Sequence, residues 1–160
     1  MKSLIGWGAA VAALAIMVLA PSSAAAPGPV LHNGFDPGMC LDAQSYDGGA
    51  TLTGAVQLYP CNGEPMQLWF DGPGNSLHNG VDQSMCLDAQ SYDGGATLTG
   101  AVQLYPCNGE PMQQWLRGPG NSLRNGADQS QCLDAQTLDS RTLTGVIQMY
   151  PCNGGRVQQW

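Results

Sequence analysis

The chain has 160 residues, twelve of them acidic and five basic, for a net charge of −7. An acidic surface disfavours nucleic acid and anionic membranes, whose phosphates it repels. Charged residues make up only 11% of the chain and glycine is abundant at 22 residues, which points to a partner met through neutral hydrogen bonds and aromatic contact.

Residues 1–25 read as a secretory signal peptide: Lys2, an apolar run from Leu4 to Ala20, then small residues at the cut. The competing reading is an uncleaved anchor, because the run approaches the lower limit of a membrane span; Gly6, Gly8 and the alanines dilute it. Cleavage predicts a secreted, extracellular protein with no stable membrane insertion. It removes Lys2 and leaves four basic residues against twelve acidic ones. Residues 27–160 suffice for one domain with a modest core.

That domain repeats itself. Met39–Gln67 and Met85–Gln113 are the same over 29 residues, and a looser third copy begins at Cys132. The units run over about 27–72, 73–118 and 119–160. A fixed period means that each unit is one supersecondary piece covered by its neighbours. No atypical capping unit is visible, so three like units are better closed in a ring than stacked in a solenoid.

Each unit reads as four short strands. In the second these are Asn75–Gly80 with an Asn-Gly turn signal, Met85–Gln90, Ala101–Cys107 and Met112–Arg117, after which Gly118-Pro119-Gly120-Asn121 turns into the next unit. In the third strand, Val102 and Leu104 face one side and Gln103 and Tyr105 the other. The prediction is an all-β fold of twelve strands about a pseudo-threefold axis. Asp47-Gly48-Gly49 marks a turn without the alternating carboxylates of a calcium loop.

Six cysteines behind a signal peptide imply disulfides. If every unit closes on itself in the same way, the pairs are Cys40–Cys61, Cys86–Cys107 and Cys132–Cys152. Zinc is the rival use, but no C-x-x-C pair is present, and His32 and His78 occupy equivalent positions in different units. No metal and no cofactor is expected.

Three features recur at matched spacing: C-L-D at Cys40, Cys86 and Cys132; Q-x-Y-P-C ending at Cys61, Cys107 and Cys152; and Q-x-W ending at Trp69, Trp115 and Trp160. In these the chain resembles the ricin B-type lectins, also called family 13 carbohydrate-binding modules, over about residues 30–160. The resemblance implies a β-trefoil of three four-stranded repeats and a carbohydrate partner, either a glycan or a polysaccharide.

A sugar ring offers a face of C–H bonds and a rim of vicinal hydroxyls. It is held by an aromatic plate and fixed hydrogen-bonding groups, and one carboxylate can accept from two neighbouring hydroxyls. Each unit carries such a set: Asp42, Gln57 and Tyr59; Asp88, Gln103 and Tyr105; Asp134, Gln148 and Tyr150. The resemblance assigns the aspartates to the hydroxyls, the tyrosines to the ring face and the glutamines to the pocket lining. The plain alternatives are a turn acceptor, ordinary packing and a structural amide. Gln67, Gln113 and Gln158 of the Q-x-W motifs fit either job, while Trp69, Trp115 and Trp160, with Leu41, Val56 and Leu58, read as core.

Many sugar-binding members carry Asn before the Q of Q-x-W; here Met66, Met112 and Val157 stand there. Losing one hydrogen bond to a ligand costs about 0.5–1.5 kcal/mol, and Asn62, Asn108 and Asn153 are candidate replacements. The third unit also changes the loop after its carboxylate. Leu138 replaces Tyr46 and Tyr92, two glycines are lost, and Arg141 adds a charge near Asp134, so a weaker or differently selective third site is expected.

No Ser/His/Asp set or paired catalytic carboxylates are visible, so a non-catalytic, monomeric lectin with up to three weak galactose- or xylose-type sites is the leading expectation. The alternatives are a β-trefoil that binds protein, such as a protease inhibitor, or a detached binding module of a glycoside hydrolase.

Overall fold

The computed structural model describes residues 29–160 except Ala50 and Ala96; the expected signal peptide lies outside the described residues. Ten strands form: β1 Met39–Ser45, β2 Leu52–Pro60, β3 Trp69–Asp71, β4 Leu77–Asn79, β5 Met85–Ser91, β6 Leu98–Pro106, β7 Trp115–Arg117, β8 Leu123–Asn125, β9 Gln131–Leu138 and β10 Thr142–Pro151. Short 3-10 turns lie between them, and no α-helix occurs among the described residues. No helix there is long and apolar enough to cross a membrane.

Each unit is built on one long antiparallel hairpin: β1 with β2, β5 with β6, β9 with β10. The three second strands then pair with one another in a cycle, through Ala55↔Gln103, Gln148↔Ala101 and Val146↔Gln57. That cycle closes the sheet about a pseudo-threefold axis, so the all-β expectation and the ring closure hold. The architecture is a β-trefoil.

Alternation along the hairpins sorts their side chains. Leu41, Ala43, Val56 and Leu58 point into the core with their counterparts Leu87, Ala89, Val102, Leu104, Leu133, Ala135, Ile147 and Met149. Trp69, Trp115 and Trp160 are buried among them, as expected. The three disulfides join the predicted partners, each across Cα atoms 5.0–5.1 Å apart, and no cysteine is free. His32 Nδ1 lies 3.5 and 3.4 Å from the sulfurs of Cys40 and Cys61, both consumed by a disulfide.

Three details correct the strand reading. The expected Met112–Arg117 strand begins only at Trp115, because Pro111 has no N–H to give to a ladder and the Gln113 N–H turns back to the Glu110 carbonyl. The outer strands of the first and third units shrink to isolated bridges, Val30↔Leu68, His32↔Cys40 and Ser122↔Gln159, so the described strands number ten, not twelve. The Asn-Gly pair is not a two-residue hairpin turn either.

Asn79 ends β4 fully buried and clamps the neighbouring unit. Its amide donates to the Met66 carbonyl at 3.1 Å and its oxygen accepts from the Val81 N–H at 3.0 Å. Asn125 does the same to Met112 and Ala127, and Asn33 to Val157 and Phe35. The following glycine permits the approach: a Cβ on Gly80 would sit 2.6 Å from the Pro65 carbonyl oxygen. Asn79→Ala leaves a buried carbonyl and a partly buried N–H unpaired. It is expected to cost about 2–4 kcal/mol, read as a lower urea midpoint at unchanged slope; a shift under ~0.5 kcal/mol would remove the clamp from the account.

Candidate functional site

On β1 the side chains of Cys40, Asp42 and Gln44 share the face opposite Leu41 and Ala43. Antiparallel register sets Asp42 across from Gln57 and Cys40 across from Tyr59. Asp42, Gln57 and Tyr59 therefore meet on one patch, and the disulfide at Cys40 ties its two strands together. The same register recurs for Asp88 with Gln103 and Asp134 with Gln148.

The carboxylate is nearly buried, with Asp42, Asp88 and Asp134 only 3–4% exposed. Its Oδ1 accepts from the opposing glutamine amide at 2.9 Å in every unit. A second amide lies behind it, and those of Gln67 and Gln113 favour the charged form of Asp42 and Asp88. In the third unit Gln158 Nε2 donates to Asp134 Oδ2 at 3.0 Å. These Q-x-W glutamines are buried and saturated. Gln67 also donates to the Pro60 carbonyl at 3.0 Å and accepts from the Asn62 N–H at 2.8 Å, a pattern repeated by Gln113 and Gln158. The motif's tryptophan fixes the peptide just before the carboxylate: Trp69, Trp115 and Trp160 donate from Nε1 to the carbonyls of Leu41, Leu87 and Leu133.

Gln44, with Gln90 and Gln136, was not singled out by the sequence reading. The Thr53 hydroxyl donates to Gln44 Oε1 at 3.2 Å, Gln44 Nε2 donates to Gln57 Oε1 at 3.4 Å, and Gln57 then offers its own NH2 to Asp42. The relay is repeated from Thr99 and Thr144 and fixes which end of the opposing amide meets the carboxylate. The signal available was period-two spacing: Gln44 lies two residues beyond Asp42.

A cavity opens over each carboxylate. The first, about 400 Å³, is lined by Asp42, Gln44, Gln57, Tyr59, Asn62 and Met66 together with Gly48 and Glu64. The second, about 410 Å³, has the equivalent residues Asp88, Gln90, Gln103, Tyr105, Asn108, Met112, Gly94 and Glu110. The third, about 680 Å³, brings Asp134, Gln148, Tyr150 and Asn153 together with Phe35, Arg156 and Val157. The tyrosines are about half exposed, at 48–49%, so each presents a ring beside the carboxylate. Gln67, Gln113 and Gln158 lie behind the cavities. Tyr46, Tyr92, Leu138 and Arg141 are not among the lining residues, whereas Gly48, Gly94 and Ser140 of the same loops are.

Asn62, Asn108 and Asn153 form Asx turns, their oxygens accepting from the N–H groups of Glu64, Glu110 and Gly155. That leaves the amide NH2 as the polar group each can offer the cavity. Met66 is buried, with its sulfur 3.0 Å from where a Cβ on Gly49 would stand; it packs under the loop. Each cavity thus combines a fixed acceptor, amide donors and an aromatic face, which suits a small polyhydroxylated ligand with an apolar side.

Over residues 29–160 the chain matches the family model of the ricin-type beta-trefoil lectin domain. A comparison with curated protein sequences found no match. Among solved structures it is similar to the Vibrio vulnificus hemolysin/cytolysin beta-trefoil lectin with N-acetyl-D-lactosamine bound, at 19% identity and a TM-score of 0.63, covering 82% of this chain and 89% of that one. The earthworm R-type lectin C-half in complex with GalNAc gives 14% identity and a TM-score of 0.61, covering 81% of this chain and 92% of that one. The hemolytic lectin CEL-III gives 24% identity and a TM-score of 0.63, covering 84% of this chain and 31% of that one.

Burial raises the Asp42 and Asp88 carboxyls from the ordinary aspartate value, against the opposing pull of Gln57 and Gln67, or Gln103 and Gln113. Between the unfolded and the raised folded value, the folded state holds more protons than the unfolded one. These two groups therefore cost stability as pH rises through that window, and the cost is absent below it. Carboxyl-detected NMR is expected to give midpoints for Asp42 and Asp88 above ~3.9. The Asp42 midpoint should rise further in Gln57→Leu, which removes a donor to the charged form. Midpoints at or below ~3.9 would contradict the assignment.

Proposed function

Since the chain belongs to the ricin-type beta-trefoil lectin domain family, we propose that it is a secreted, non-catalytic lectin that holds galactose- or xylose-type glycans at three shallow sites. The observation that carries this reading is the threefold repetition of one carboxylate–amide–tyrosine constellation at the mouths of three equivalent cavities. An interface for a folded protein partner has no reason to be built three times about an axis.

In this reading Asp42, Asp88 and Asp134 accept from vicinal hydroxyls. Gln57, Gln103 and Gln148 hold the carboxylate in place and lend a polar edge to the site. Tyr59, Tyr105 and Tyr150 carry the apolar C–H face of the ring. Gln67, Gln113 and Gln158 serve by positioning the carboxylate, because their own polar atoms are committed inside the protein. Asn62, Asn108 and Asn153 supply the donor that Met66, Met112 and Val157 do not. Neighbouring structures with N-acetyl-D-lactosamine and with GalNAc support a galactose-type preference. One buried aspartate per unit, braced by amides on the protein side, is placed to hold hydroxyls. The three disulfides suit an oxidising, extracellular setting.

Single sites of this depth are weak, and three on one rigid body gain by effective concentration when the ligand spans them. Retention on a branched galactose- or xylose-containing polysaccharide is expected to exceed binding of the free monosaccharide by ~10²-fold or more. Replacing Asp42, Asp88 and Asp134 together by Ala should abolish retention while the near-ultraviolet spectrum and the disulfides persist. Undiminished retention by that variant would remove the carboxylates from the mechanism, and a glycan array with no bound sugar at high protein concentration would overturn the lectin reading.

A further inference from the structure

The three cavities share a plan but not a charge. The first two are lined by two acids each, Asp42 with Glu64 and Asp88 with Glu110, and by no basic residue. In the third unit Gly155 stands where the others have glutamate, and Arg156 where they have Pro65 and Pro111. The lining of the third cavity therefore balances Asp134 with a guanidinium.

Arg156 is anchored to the first unit. Its Nε donates to the Gly34 carbonyl of the first unit at 2.9 Å, which turns the guanidinium and leaves its two terminal NH2 groups for another acceptor. The residue is otherwise exposed at the cavity wall.

The third cavity is also larger, about 680 Å³ against 410 and 400 Å³. One substitution and one deletion accompany it. Met66 and Met112 run under the Gly49 and Gly95 loops, whereas Val157 is shorter and its loop has lost a residue. The opened space reaches Phe35 of the first unit, which adds an aromatic wall to that of Tyr150. Val81 and Ala127 occupy the equivalent positions beside the first and second units.

Resting on the lectin reading, we propose that the third site takes a sugar bearing an anionic group, a uronic or sialic acid carboxylate, with Arg156 as the specificity-determining residue and Asp134 holding the hydroxyls. A planar guanidinium offers paired N–H donors matched to a carboxylate. At the first two sites the same ligand meets a second negative charge from Glu64 or Glu110. The extra volume and Phe35 accommodate the larger acidic residue or a second ring.

The test is an array of matched pairs, galactosides and xylo-oligosaccharides each with and without one uronic or sialic acid, read at low and moderate salt. Asp42→Ala/Asp88→Ala, which keeps only the third site, is expected to favour the acidic member of a pair by about fivefold or more, with the preference shrinking as salt rises. Asp134→Ala, which keeps the first two sites, should favour the neutral member. On the otherwise intact chain, Arg156→Gln should collapse the ratio of acidic to neutral binding; because Arg156 is exposed, this variant decides the matter even if the double variant folds poorly. Equal ratios in the single-site proteins, a ratio untouched by Arg156→Gln, or a silent third site beside active first and second ones each overturn the inference and leave the lectin reading standing. Binding to no member of any pair by the unaltered protein overturns both.

Discussion

A buried brace underlies everything that the surface of this protein presents. In each unit the glutamine and tryptophan of the Q-x-W motif, both buried, hold the C-L-D strand at its aspartate. The indole holds the preceding carbonyl and the amide holds the carboxylate. A polar group withdrawn from water costs stability unless it is paired, so the brace is tolerated only because every donor and acceptor in it finds a partner. Satisfied networks of this kind impose one geometry. The near-buried carboxylates owe their orientation to it, and the cavities owe their floor to the carboxylates.

The brace operates within a unit, whereas the fold needs all three. One hairpin exposes its apolar face until the second strands close their cycle through Ala55↔Gln103, Gln148↔Ala101 and Val146↔Gln57. The asparagine clamps bind each unit to the one before it, including the third to the first through Asn33 and the Val157 carbonyl. The same contacts make neighbouring units complete one another's sites. Phe35, at the start of the first unit, reaches the cavity of the third because Asn33 and Gly34 are locked against its last turn.

Much of this was legible in the sequence, for reasons that can be assigned. The hairpin strands were visible because Val102 and Leu104 alternate with Gln103 and Tyr105, and the core tryptophans because they recur at one spacing. The disulfides followed from the repeat, which demands that each unit close alike. What escaped were features set by distant parts of the chain. Asn79 carries the local signature of a hairpin turn, yet the carbonyl of Met66 draws it into the interior. Gln67 could have faced a ligand or the core, and only the Pro60 carbonyl and the Asn62 N–H decide which. The third-unit differences at Leu138 and Arg141 stood out in the sequence, but the cavity is shaped instead by Val157, Arg156 and Phe35, the last of them a residue of another unit.

The disulfides span 20 or 21 residues and never leave their own unit. Two stretches of the chain are the same over 29 residues, so their strands have no chemical means of telling their own partner from the other's. Closing a short loop is entropically cheaper than closing a long one, so Cys40 meets Cys61, 21 residues away, more often than the duplicate Cys107, one unit further on. Once oxidised, each hairpin arrives at assembly with its pairing already decided. The covalent link then acts as a kinetic address label, separating two otherwise interchangeable copies and steering the chain away from exchanged-strand forms to which internal duplication exposes it.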